Sequence, residues 1–227
     1  MKQRLLASFF VLASVAVMSS AKADTVNLGF DSKLGANLVK IEIPAPLETT
    51  RAQIGVVRGQ LSVDPADPMK TTGTIEADLS DIQSHSFEDQ DKNKTQTEHM
   101  HNWFEIGGDV TPDVREKNRW AKFVITKILK AEAIPNTKKY AVQAQGDFTV
   151  HGITKPKTVD LEITVDDAKK PVAIVTKKPF VVSLKEHDVK PRDTTGKFLD
   201  GALKVVGLKL SDEAQVSLDL KPVPASK

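Results

Sequence analysis

With 227 residues, 40% of them apolar and 27% charged, the chain has the make-up of an ordinary globular protein and ample apolar material for one core. The formal net charge is +2, but Lys2, Arg4 and Lys22 fall within the first 23 residues, which hold no acid; 32 basic residues less these three leave 29 against 30 acidic ones. The basic surplus of a nucleic-acid-binding surface is therefore missing, and with no cysteine disulfides, thiolate metal sites and a lipid-modified cysteine are excluded.

At the start, Lys2 and Arg4 precede an apolar run from Leu5 to Met18, and Ala21, Lys22 and Ala23 make a small-x-small site. This is the pattern of a secretory signal peptide over 1–23, cut before Asp24. The run is shorter than the ~20 residues that span a bilayer, and no later segment approaches that length. The expectation is an exported, periplasmic protein that is not integral to the membrane, with 24–227 forming one domain.

From there on, alternating runs are separated by proline or glycine. They include Val39 to Ile43, Val56 to Val63, Thr72 to Leu79, Lys122 to Lys130, Val172 to Leu184, Leu203 to Leu210 and Ala214 to Leu220. Many strands at this spacing predict an all-β sandwich or closed barrel, and alternation alone does not separate the two. The tail after Leu220, KPVPASK, reads as too short and polar to pack.

One segment departs from alternation. Ser84 to Thr97 is almost free of apolar residues and reads as a surface loop. Thr95 with Glu98 forms a capping box, and Met100, Trp103 and Phe104 follow at helical spacing, predicting a short helix there. Its apolar stripe either faces a cavity or plugs the end of the domain.

The firmest element is Tyr140 to Val165. Val142, Ala144, Phe148 and Val150 recur at every second place with Gly146 between them, and Val159, Leu161, Ile163 and Val165 do the same on a second arm. This predicts a long hairpin with one apolar face, turning through HGITKP, where Gly152 permits an unusual backbone angle and Pro156 interrupts the ladder. Gly146 and Ala144 either leave room inside or mark a bend.

Catalytic signals are sparse. The histidines are His85, His99, His101, His151 and His187, and no HExxH, nucleophile elbow or phosphate loop accompanies them. His99 and His101 with Glu98, Asp89 or Asp91 are the only candidate metal cluster, set against solvated loop histidines. An enzyme, metal-dependent or haem-associated, would require those loop histidines to converge.

The wording of the hairpin, FTVHGITKP from Phe148 to Pro156 and TVDLE from Thr158 to Glu162, resembles the signature of the YceI-like proteins. TIEADL at Thr74 to Leu79, EHM at Glu98 to Met100, WFEI at Trp103 to Ile106 and AKFVITKI at Ala121 to Ile128 extend the resemblance, in order, over most of the chain after about Leu38. It implies an eight-stranded antiparallel lipocalin-like barrel with a short helix near one mouth, binding a polyisoprenoid lipid in the bacterial periplasm. The chain departs from the family in its enlarged Ser84 to Thr97 loop and in the stretch Gly107 to Asn118.

On this resemblance the ligand is an isoprenoid or other long apolar lipid, with no cofactor and no catalysis. The expected cavity residues are Trp103, Phe123, Ile125, Phe148, Val150 and Leu161, although Phe123 and Ile125 could point outward with Val124 and Thr126 inward. Glu98, His99 and His151 are the expected polar contacts at a mouth. The alternative is a barrel filled by its own side chains that acts as an interaction or stress-response module. A homodimer is left open.

Overall fold

The computed structural model describes residues 25–30, 37–45, 49–190 and 211–225. Residues 1–23 and the run from Leu203 to Leu210 lie outside them.

The described residues form thirteen strands rather than eight. They are β1 (Val26–Phe30), β2 (Leu38–Ile43), β3 (Thr50–Ile54), β4 (Val57–Val63), β5 (Thr72–Asp78), β6 (Gln83–Ser84), β7 (Trp120–Ala133), β8 (Lys139–Val150), β9 (Ile153–Val165), β10 (Pro171–Thr176), β11 (Phe180–Ser183), β12 (Glu213–Leu220) and β13 (Pro222–Pro224). The count rises because single runs are broken: β3 and β4 meet at a corner, Val172 to Leu184 divides into β10 and β11, and β12 and β13 are separated by Lys221 alone.

All pairings are antiparallel, in the order β13-β1-β4-β5-β7-β8-β9-β10-β12-β2-β3-β6, with β11 added on β12. Chain continuity bends this path into a barrel, since β3 runs into β4 and β12 into β13, joining positions far apart in the order. The Asp81 carboxylate holds the first corner by accepting from Gly55 N and Val56 N at 2.8 and 2.9 Å. The tail packs after all: Leu28 to Phe30 pair with Pro222 to Pro224, and Pro222 is buried. Backbone pairing decides this, not apolar content.

The hairpin is observed as β8 and β9, in register from Lys139–Thr164 to Val150–Ile153. Its turn is only His151-Gly152, both at positive φ, the two-residue geometry whose twist suits a hairpin. Pro156 does not interrupt the ladder. It lies opposite Asp147, on a stretch of β9 that β10 does not reach, where a missing N–H leaves no ladder bond unmade.

Two helices, α1 (Gln90–Trp103) and α2 (Pro112–Asn118), lie between β6 and β7. α1 begins five residues before Thr95, capped by Asp89, whose carboxylate accepts from Asp91 N and Lys92 N. The enlarged loop is therefore mostly helix. It docks by hydrogen bonds: Ser84 N donates to Thr97 Oγ1 at 2.9 Å, Phe87 N to Asn93 Oδ1 at 3.0 Å, and Asn93 Nδ2 to Phe87 O at 2.8 Å.

Inward and outward faces separate cleanly. Val142, Ala144, Phe148, Val159 and Leu161 are buried, while outward positions pair across strands, as in Gln143 with Asp160 at 2.8 Å and Arg58 with Glu76 at 2.6 Å.

Candidate functional site

The interior is hollow. A lower chamber with about 110 Å³ open to the centre of a water-sized sphere is lined by 24 residues, every one of them Val, Ile, Leu, Ala, Met or Phe. An upper chamber, with about 60 Å³ open in the same sense, adjoins it. The two share Ile75, Ile125, Leu161 and Ile174, from β5, β7, β9 and β10, which form a waist. Ile75, Phe123, Ile125 and Leu218 face this space yet are only half-buried, because no side chain fills the volume in front of them.

The ends of the barrel differ. At one end lie the turns β4–β5, β7–β8 and β9–β10, and there the upper chamber meets Pro65, Pro68, Thr71, Tyr140, Lys169 and Pro171. At the other end the lower chamber is covered by α1 and its C-cap through Met100 and Phe104.

Of the expected cavity residues, Phe123, Ile125, Phe148, Val150 and Leu161 line the chambers; the inward alternative for Val124 and Thr126 does not hold. Trp103 is 2% exposed but lies outside the lining, and the neighbouring positions Met100 and Phe104 take its place. Met100 and Phe104 lie four residues apart, on one face of the helical turn, and only that part of the apolar stripe reaches the cavity.

The three expected polar contacts do not line it either. Glu98 is exposed and His99 half-exposed on α1. His151 is tied elsewhere, its Nδ1 3.2 Å from His187 O and its Nε2 3.2 Å from Glu105 Oε2. It thus clasps together the β8–β9 turn, the segment after α1 and the turn at Lys185–His187. His187 is buried, its Nδ1 3.0 Å from Ile153 O and its ring edge-on to Phe148. Burial pushes its pKa down, against hydrogen bonds to the backbone of Ile153 and Val150 that favour the charged form. His101 is likewise pushed down by burial, with Glu98 opposing. Among the described residues no three His, Asp or Glu side chains converge as a metal site requires.

Tyr140 and Lys169 were not singled out from the sequence. Tyr140 could have been, since it continues the alternation of Val142 and Ala144. Lys169 sits in a polar turn whose residues give no sign of reaching a cavity.

Residues 32–221 match the YceI-like domain. No curated protein matches the chain. Its fold is similar to that of BcnA from Burkholderia cenocepacia, at 18% identity over 84% of this chain and 98% of that one, with a TM-score of 0.52. It is also similar to a polyisoprenoid binding domain from Saccharophagus degradans implicated in plant cell wall breakdown, at 10% identity over 89% of this chain and 100% of that one, with a TM-score of 0.57. At such identities the likeness is one of fold. The match over residues 32–221, together with the curled antiparallel sheet, establishes that this chain belongs to the YceI-like domain family.

Proposed function

We propose that this protein is a periplasmic carrier or store for a polyisoprenoid lipid, holding the tail of a polyprenyl phosphate or quinone in the two chambers without covalent chemistry. The observation that carries this reading is the pair of adjoining apolar chambers, of which the lower offers no polar side chain to orient a polar solute. The polyisoprenoid binding domain of similar fold supports the same ligand class. The leader-like segment at 1–23 supports export.

The energetics suit a long tail. Each five-carbon unit buried contributes about 3 to 4 kcal/mol gross at ~0.8 kcal/mol per carbon, enough after several units to exceed the cost of ordering the chain. Outward strand positions such as Arg58, Glu76, Gln143 and Asp160 are charged or polar, unlike the apolar band of a lipid-facing barrel wall. A barrel acting only as an interaction module would have no use for a cavity lined wholly by apolar side chains, and that lining weighs against the alternative.

Calorimetric titration with geraniol, farnesol and geranylgeraniol tests the reading. Affinity should rise by at least about tenfold per added isoprene unit until the chambers are filled. Weak binding that ignores length would contradict it.

A further inference from the structure

On the lipid-binding reading above, we infer that the ligand lies head-out at the end formed by the β4–β5, β7–β8 and β9–β10 turns, and that the head is anionic, held by Lys169, Tyr140 and Thr71. These three supply the polar side chains of the entire lining, and all belong to the upper chamber. An ammonium, a phenol and a hydroxyl all donate, and an acceptor-rich phosphate answers them.

The turn that carries Lys169 is ordered. Asp166 accepts from Ala168 N and Lys170 N at 2.9 Å each, Lys169 N donates to Asp166 O at 3.0 Å, and Lys169 itself sits at φ 60. The carboxylates of the surrounding turns are already engaged: Asp64 caps Ala66 N, Asp67 pairs with Lys70, Asp167 with Lys138 and Glu162 with Lys139. Among the described residues, Lys169 has no hydrogen-bond or ion-pair partner for its ammonium.

The opposite end is unsuited to an anion. Met100 and Phe104 cover it, and the side chains that line the lower chamber include no donor. A phosphate driven to that end would be buried without a partner. The tail therefore runs from the Lys169 mouth through the waist toward Met100.

The test uses the full chain with geranylgeranyl monophosphate carrying a diazirine on the isoprene unit next to the phosphate, photolysed and mapped by peptide mass spectrometry. Affinities for geranylgeranyl monophosphate and neutral geranylgeraniol are measured alongside. Labels should fall on the peptides holding Thr71, Tyr140 and Lys169, and Lys169→Glu should weaken the phosphate by about tenfold relative to the alcohol. Glu98→Lys should leave both affinities unchanged. Labels on α1 or the His151-Gly152 turn, or equal weakening of phosphate and alcohol by Lys169→Glu, would overturn the orientation while leaving lipid binding intact. Failure of the unaltered protein to bind either compound would instead overturn lipid binding itself, and the orientation with it.

Discussion

The ring of Phe123 occupies the place that a side chain at Gly146 would need. A Cβ at position 146 would lie 2.7 Å from Cε2 and Cζ of Phe123 and 2.3 Å from the Val124 carbonyl oxygen. Gly146 pairs with Ile125, immediately before a register shift in β7, where a bulge bends the strand and raises its twist. The glycine thus serves a close strand approach at a bend, and the space beside it belongs to Phe123.

Gly146→Ala should destabilise the fold by about 2 kcal/mol, an overpacking cost larger than the gain from a stiffer unfolded chain. Urea unfolding checks this. Phe123→Ala in the same chain should relieve part of the penalty, because the contact with Val124 O remains; full additivity of the two changes would contradict the contact.

Asp78 and Arg119 join the start of β7 to the end of β5. Arg119 donates from Nε at 3.0 and 3.1 Å and from Nη2 at 2.6 Å, and Ser80 donates from N and Oγ at 3.0 and 2.6 Å. Burial works to raise the Asp78 pKa, but the hydrogen bonds from Arg119 and Ser80 and the arginine's charge outweigh it and hold the carboxyl below its usual value. Stability from this group is therefore present above 3.8 and is lost as pH falls through the lower folded value. Asp78→Asn should cost about 2 kcal/mol at neutral pH, and the difference from the unaltered protein should shrink in strong acid, measured by denaturant unfolding across pH.

The buried histidines act in a higher window. His187 and His101 both have folded pKa values below their ordinary 6.5, so the unfolded chain binds protons that the fold resists. Their contribution is present above 6.5 and declines as pH falls through the folded values. Melting temperature should drop on mild acidification, and a chain carrying His101→Gln and His187→Gln should show a flatter profile there, even if it is less stable overall.

The waist should govern how long a ligand can be. Leu161 contacts both chambers, so Leu161→Trp fills the passage at an overpacking cost of about 1 to 3 kcal/mol. Geranylgeraniol should then bind no better than a shorter prenyl alcohol, whereas Leu161→Ala should keep the dependence on length. Titrations with the same alcohols check this.

Much of the barrel was legible in the sequence because period-two alternation survives wherever one face is buried, as in β8 and β9. The side to which each strand turned was not legible: Phe123 and Val124 are equally apolar, and only the register with Phe148 and Asp147 puts the first inside. The second half of α1 was legible from the spacing of Met100 and Trp103, but its first turns were not, because Asn93 and Thr97 dock them through hydrogen bonds and leave no apolar periodicity to read. β13 escaped for a related reason, since its place is set by backbone pairing with β1. The five strand residues of the cavity were within reach, whereas the helix contributed Met100 and Phe104 in place of Trp103, a matter of tilt. Lys169 became visible only once the β9–β10 turn was closed over the upper chamber.

The most direct measurement is native mass spectrometry of the protein exported into a bacterial periplasm and purified without detergent, followed by organic extraction of whatever it carries. The account predicts a stoichiometric isoprenoid adduct, diminished by Leu161→Trp while the fold is retained. A clean ligand-free mass, with no uptake of prenyl phosphates or prenyl alcohols added afterwards, would contradict it.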